Sequence, residues 1–174
     1  MSEHSISISN PTLSQMIFNN KKTAWFWLII RVYVGWQWLS AGYEKVIDPM
    51  WIGPKAGPAL AGFIKGVVAK TLGAHPDVQN WYATFLQNAV LSHVHGWSAF
   101  VAYGEVLVGL GLIVGLFTGA AAFFGAFMNW NFLMAGTVSV NPVLMILSIW
   151  IILARNVAGR FGLDRFVHKK FKKY

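Results

Sequence analysis

The sequence predicts an all-α integral membrane protein, a four-helix bundle with an outer loop that contains two short amphipathic helices. Two observations predict this class. Of the 174 residues, 56% are hydrophobic and only 11% are charged, whereas a soluble domain carries about 25% charged residues. Long apolar segments also alternate with polar connections along most of the chain, at a length that suits one compact domain.

The apolar segments define the expected domain layout. The predicted spans are residues 25–42, 97–117, 119–137 and 138–154. At helical rise the second span is about 30 Å long, which matches the hydrocarbon core of a bilayer. We therefore expect a four-helix transmembrane domain over residues 25–157, after an N-terminal segment 1–24 and before a basic tail 158–174.

The basic residues predict the topology. Lys21 and Lys22 precede the first span, and seven of the 14 basic residues lie between Arg155 and the C-terminus. By the positive-inside rule, both termini are cytoplasmic and the loop 44–96 lies outside. A basic cluster beside an apolar helix favours an anchor on anionic membrane lipid over nucleic-acid binding.

The outer loop carries two amphipathic patterns. Apolar residues recur at helical spacing over 60–72 and again over 78–90, and Gly73 divides the two segments. Pro58 and Pro76 mark their starts. Two interpretations stay open: a two-helix cap over the outer mouth of the bundle, or two interfacial helices that rest on lipid.

Glu105 is the most informative residue, because it interrupts the second apolar span. A carboxylate near the middle of a membrane helix costs about 3 kcal/mol or more, so an ionisable residue there indicates function. Helical rise brings Gln37, Asn129 and Asn131 to nearly the same depth as Glu105. Arg31 lies lower, but its long side chain is expected to reach upward.

This polar layer has two interpretations. In the first, it is a pocket for a flat, mostly apolar molecule such as a quinone head group, where Arg31 or an asparagine hydrogen-bonds a carbonyl and Glu105 relays a proton. The expected aromatic wall consists of Trp36, Trp38, Trp130 and Phe132. In the second, Arg31 and Glu105 form a structural ion pair and the amides hold helices together.

Further polar residues lie at the outer edge. Tyr43, Glu44, Lys45 and Asp48 end the first span, where snorkelling alone would explain them. His93 and His95 precede the second span and are candidates for protonation at the outer mouth. The His-x-His pair has no compelling third ligand, so we predict no metal site. The absence of cysteine excludes a disulfide, a thiolate nucleophile and a cysteine-ligated iron–sulfur cluster.

Three segments resemble the DoxX/DoxD family of membrane proteins: RVYVGWQWLSAGYEK (31–45), YGEVLVGLGLIVGLFTGAAAFFGAFMN (103–129) and NFLMAGTVSVNP (131–142). The resemblance extends from Trp25 to Asp164 and implies a four-helix membrane bundle. Its motif positions in this chain are Arg31, Gly35, Gly42, Lys45, Glu105 with the glycines that follow it, and Asn129.

The resemblance also implies a function. It suggests a quinone-linked oxidoreductase, or a subunit of one, that oxidises thiosulfate to tetrathionate and passes electrons to membrane quinone, in the plasma membrane of a prokaryote. Glu105 and Arg31 are the expected catalytic residues. The expected quinone- and substrate-binding residues are Trp36, Gln37, Tyr43, Lys45, Asn129, Asn131, His93 and His95. Lys45 or either histidine would attract the thiosulfate dianion.

Quinone is expected as a co-substrate, with no metal or haem. The resemblance implies a DoxA-like partner subunit, and analogy suggests a homodimer. Two other classes of function remain open. One is a non-enzymatic scaffold, or a lipid- or small-molecule-binding partner of redox enzymes. The other is a small proton-coupled carrier that uses Glu105, which the lack of an inverted repeat disfavours.

Overall fold

The computed structural model describes residues 12–166, and all regular secondary structure in that range is helical. The helices are α1 (Thr12–Ser14), α2 (Ala24–Ile47), α3 (Pro58–Ala69), α4 (Asn80–Phe85), α5 (Val94–Val114), α6 (Thr118–Met134), α7 (Asn141–Leu153) and α8 (Arg155–Ala158). The predicted all-α class is therefore confirmed. The predicted terminal segments, 1–24 and 158–174, lie partly outside the described residues.

Four of these helices coincide with the predicted spans: α2, α5, α6 and α7. The second span ends earlier than predicted because Gly115 adopts a left-handed conformation, with φ +70°, and its N–H donates to the carbonyl of Gly111. Glycine at this position is the usual way to end a helix. The loop also contains two helices as predicted, although α4 begins four residues after Pro76, at Asn80.

The four long helices pack in sequence order. α2 packs against α5, α5 against α6 and α6 against α7, and α7 returns to α2. Their shared core includes Trp27, Val34, Leu112 and Ile151. α2 and α5 run antiparallel and are in very close contact. The closeness is shown at Gly109, where a Cβ atom would lie only 2.5 Å from the backbone nitrogen of Leu39.

α3 and α4 form a second core with the C-terminal end of α6. The Nζ of Lys70 donates to the carbonyl of Gly136 at 2.7 Å, and the hydroxyl of Tyr82 donates to the carbonyl of Asn131 at 3.0 Å. The ring of Phe63 meets Phe132 edge-on, with centroids 6.3 Å apart. These contacts favour the interpretation of the two loop helices as a cap on one end of the bundle.

One helical stretch in residues 12–166 is long and apolar enough to cross a membrane. It runs over Asn80–Val114, 35 residues, and includes α4, a π-helical turn, a 3-10 turn and α5. At helical rise it is about 52 Å long, more than the hydrocarbon core requires. Most of its apolar part is not buried inside the protein. α3 and α7 are shorter apolar helices.

Candidate functional site

The candidate site is centred on an ion pair between Lys45 and Glu105. The Nζ of Lys45 lies 2.7 Å from the Oε2 of Glu105. The Glu105 side chain is 1% exposed, whereas that of Lys45 is 20% exposed. An ammonium group therefore compensates the charge of Glu105 inside the apolar bundle. The second interpretation of the polar layer, an ion pair between Glu105 and Arg31, is therefore wrong as to the cation.

Glycine brings the two charged residues together. A Cβ atom on Gly42 would lie 2.7 Å from the backbone nitrogen of Val106 and 2.9 Å from the Cβ of Glu105. Only a residue without a side chain lets α2 approach α5 this closely. Lys45 follows Gly42 by almost one turn, and helical side chains lean toward the N-terminus of their own helix. Lys45 therefore leans back over the contact and reaches Glu105.

The Lys45 ammonium has two further neighbours. It donates to the carbonyl of Ala41 at 3.3 Å and lies 5.3 Å from the centre of the Trp51 ring. A cation over the face of tryptophan is attracted by its ring quadrupole. The carboxylate of Glu44 also acts electrostatically on Glu105. The arrangement holds one buried negative charge beside a cation that remains partly accessible.

Arg31 lies toward the opposite end of the bundle. Its guanidinium packs so closely on Gly115 and Gly162 that a Cβ atom on Gly115 would overlap Nη1. Gly115 follows Glu105 by ten residues, about 15 Å along α5. Arg31 leans toward the start of α2, for the same reason that Lys45 leans toward Glu105. The prediction that Arg31 reaches upward into a pocket shared with Glu105 is therefore wrong.

The acidic partner at that end is Asp164, which acts electrostatically on Arg31. Its carboxylate accepts hydrogen bonds from the backbone N–H groups of Phe117 at 2.6 Å and Thr118 at 3.0 Å. Both groups lie at the start of α6, where helix N–H groups have no partner within the helix. Asp164 thus connects the segment after α8 to the turn between α5 and α6.

The polar layer predicted from depth is only partly present. Asn129 is fully buried. Asn131 instead accepts a hydrogen bond from the hydroxyl of Tyr82, and its side-chain amide donates a hydrogen bond to the carbonyl of Phe127. Gln37 precedes Gly42, the residue opposite Glu105, by five residues, so it lies about 7.5 Å below that level. The prediction that Gln37 lies at nearly the same depth as Glu105 is therefore wrong.

The predicted aromatic wall divides into two groups. Trp38 and Phe132 stack within the core, with ring centroids 6.4 Å apart. Trp36 and Trp130 are exposed on the outer surface of the bundle, as is Tyr43. The prediction that Trp36 and Trp130 line an internal pocket is therefore wrong.

The two histidines border separate shallow clefts at the start of α5. His93 lines a cleft of about 270 Å³ with Trp97 and Phe100. His95 lines a cleft of about 550 Å³ with Lys55 and Pro58. In the described part of the chain, no three His, Asp or Glu side chains are grouped so that they could hold a metal ion.

Sequence reasoning missed the pairing of Lys45 with Glu105, and it missed Trp51 as a neighbour of the pair. One signal was present for the pairing. Lys45 and Glu105 are both motif positions, and the tilt of helical side chains predicts that Lys45, rather than Arg31, points toward the middle of the bundle. No local pattern marks Trp51, which is brought in by the turn after α2.

The described residues define an all-helical protein, with one helical stretch long and apolar enough to cross a membrane and with an ion pair whose carboxylate is buried. Comparison with known families identifies it further. The family model described as "TQO small subunit DoxD" matches residues 26–174, and the chain belongs to this DoxD family of membrane proteins. No curated protein and no solved structure matches the chain.

Proposed function

We propose that this chain is the small membrane-embedded subunit of a thiosulfate:quinone oxidoreductase, acting with a DoxA-like partner. The observation that supports this proposal is the ion pair between Lys45 and Glu105, in a chain of the DoxD family. A buried carboxylate between membrane helices is expensive to keep even beside a cation, and such residues usually carry protons, ions or substrates.

The outer faces of the helices support membrane insertion. Large apolar side chains are exposed on all four long helices, among them Ile29 on α2, Leu107 on α5, Phe123 on α6 and Ile146 on α7. Apolar surface of this extent is unfavourable in water but suits lipid. We propose that α2, α5, α6 and α7 form a four-helix membrane bundle over residues 25–157. α7 and α8 are separated by one residue and together span about 27 Å.

In the proposed topology both termini are cytoplasmic and the loop 44–96 is outside, in the plasma membrane of a prokaryote. The chain has no cysteine, so single cysteines report position cleanly. We expect a membrane-impermeant maleimide to label Asp77→Cys in intact cells and to label Arg160→Cys only after permeabilisation. Labelling of Arg160→Cys in intact cells would contradict this topology.

The proposed reaction joins two thiosulfate ions through a new sulfur–sulfur bond, which gives tetrathionate and releases two electrons. Quinone takes up these two electrons and two protons and becomes quinol. Lys45 lies toward the outer end of α2 and is partly exposed, so its charge would attract the dianion when Glu105 is protonated and no longer compensates it. Glu105 would pass a proton, and the DoxA-like subunit would complete the site for sulfur chemistry.

The test uses membranes that contain the chain and its DoxA-like partner, with thiosulfate-dependent quinone reduction as the readout. The double variant Lys45→Met/Glu105→Leu removes both charges at similar volume, which usually preserves stability. We expect it to fold and to lose activity by at least tenfold. Lys70→Met is the matched control, because the Lys70 ammonium bonds only the carbonyl of Gly136, after the end of α6, among the contacts described.

A folded double variant with wild-type activity would refute a chemical role for the pair. It would favour the second candidate function, a non-enzymatic scaffold for redox enzymes. That candidate is supported by the hydrogen bond that Lys45 donates to Glu105. Each charged group already has a partner of opposite charge, so the pair can act as a structural element without a ligand. A scaffold is expected to capture the DoxA-like subunit equally well with or without the pair, as measured by co-purification.

A further inference from the structure

The main core contains polar groups that the ion pair does not use. The side-chain amide of Asn129 on α6 and the indole N–H of Trp38 on α2 have no hydrogen-bond partner among the protein atoms of residues 12–166. Asn129 is 0% exposed and Trp38 is 3% exposed. Leaving such a group unpaired costs about 1–3 kcal/mol. Buried water is the usual partner where the protein supplies none.

The two unpaired groups lie on the same surface of the bundle core. The Nε1 of Trp38 lies 3.0 Å from the position that a Cβ atom on Gly125 would occupy. The Trp38 ring also stacks on Phe132. Gly125, Asn129 and Phe132 are spaced four and three residues apart, so they share one face of α6. The indole thus lies along the face from which the Asn129 side chain emerges.

This surface lies at nearly the same depth along the bundle as the ion pair of Lys45 and Glu105. A Cβ atom on Gly104, the neighbour of Glu105, would lie 3.8 Å from the side chain of Met128, the neighbour of Asn129. Trp38 lies about one turn before Gly42, which contacts Glu105. The unpaired groups therefore lie in the half of the core that adjoins the ion pair.

We propose that Trp38 and Asn129 form a buried site for an oxygen atom that accepts hydrogen bonds. The indole offers one N–H and the amide offers two, against a single amide oxygen, so donors outnumber acceptors. The oxygen is supplied either by an ordered water molecule or by a carbonyl of an apolar ligand, for which a quinone head group is the candidate. The carbonyl source rests on the proposed function, whereas the water source does not.

The test compares thermal unfolding of the purified full chain in mild detergent for Trp38→Phe, Asn129→Leu and the double variant. Each single change removes a donor to the shared oxygen. We expect each to lower Tm by about 2–5 °C, and we expect the double variant to lose less than the sum. A Tm raised by Asn129→Leu would overturn the proposal, because burying an apolar group in place of unpaired polar atoms is stabilising. Additive effects would also overturn it.

Thr118→Val is the matched control. Thr118 lies on the same helix, is fully buried, and has a hydroxyl oxygen without a partner in the described part of the chain. It lies eleven residues before Asn129, about 16 Å away along α6. We expect Thr118→Val to leave Tm unchanged or to raise it, with an effect that adds to that of Trp38→Phe. Non-additivity with Thr118→Val would show a general effect on the helix and contradict a shared site.

Mass spectrometry of the organic extract then separates the two sources of oxygen. Isoprenoid quinone that is present with the wild type and with Thr118→Val, but depleted with folded Asn129→Leu, supports the carbonyl. Non-additive loss of Tm without quinone in any extract supports water. If thiosulfate-dependent quinone reduction is absent while the non-additivity persists, the proposed function fails and the buried site stands.

Discussion

The contact between α2 and α5 predicts that Gly109 does not tolerate a single methyl group. A Cβ atom on Gly109 would lie 2.5 Å from the backbone nitrogen of Leu39 and 2.7 Å from its Cα atom. Ordinary contact begins near 3.4 Å. Both clashing atoms belong to the main chain and cannot move by a change of rotamer. In Gly109→Ala the two helices must therefore separate by about 0.9 Å.

The expected magnitude combines two opposing effects. Overpacking a close contact costs about 1–3 kcal/mol, and alanine in place of glycine within a helix contributes about 0.5–1 kcal/mol of stability. We expect Gly109→Ala to lower the free energy of unfolding by about 1–2 kcal/mol. Because Glu105 lies one turn from Gly109, the separation also lengthens the contact of Lys45 with Glu105.

The assay is reversible unfolding in mixed detergent, with intrinsic fluorescence as the probe. The matched control is Gly62→Ala on α3, where a Cβ atom would meet nothing within 4 Å. There the helix propensity acts alone, and we expect a gain of about 0.5–1 kcal/mol. If Gly109→Ala is as stable as Gly62→Ala, then the helices do not approach as described and the reasoning is refuted.

Three further predictions follow from the ionic and hydrogen-bonded contacts. Lys45→Met leaves the buried Glu105 unpaired and should lower the free energy of unfolding by about 3–5 kcal/mol. Glu105→Gln leaves a partly exposed lysine and should lower it less. An unfolding midpoint that is lower for Glu105→Gln than for Lys45→Met would contradict this asymmetry. Asp164→Ala removes both acceptors at the start of α6 and should cost about 1–2 kcal/mol, with faster proteolysis after Gly159; an unchanged cleavage rate would argue against this role. Tyr82→Phe removes its hydrogen bond to Asn131 and should cost about 0.5–1.5 kcal/mol, with faster hydrogen exchange in α4; unaltered exchange would mean that this bond does not hold the cap.

Most of the helical framework follows from hydropathy and turn residues. The apolar segments give α2, α5, α6 and α7, and helical spacing in the loop gives α3 and α4. The details that failed depend on contacts between helices. Trp36 and Trp38 are two residues apart in one apolar run, yet Trp36 is exposed and Trp38 is buried. Local pattern cannot decide between them when lipid and protein core are both apolar.

The sequence alone determines that Glu105 lies within an apolar helix and needs a partner, because an isolated charge there is too costly. It also determines the helical class, since only helical spacing of apolar residues runs through the chain. Tertiary structure decides which cation Glu105 takes. Arg31 and Lys45 lie on the same helix, and the glycine contact at Gly42 sets the register of α2 against α5. Because side chains lean toward the start of α2, that register brings Lys45 to Glu105 and carries Arg31 away from it.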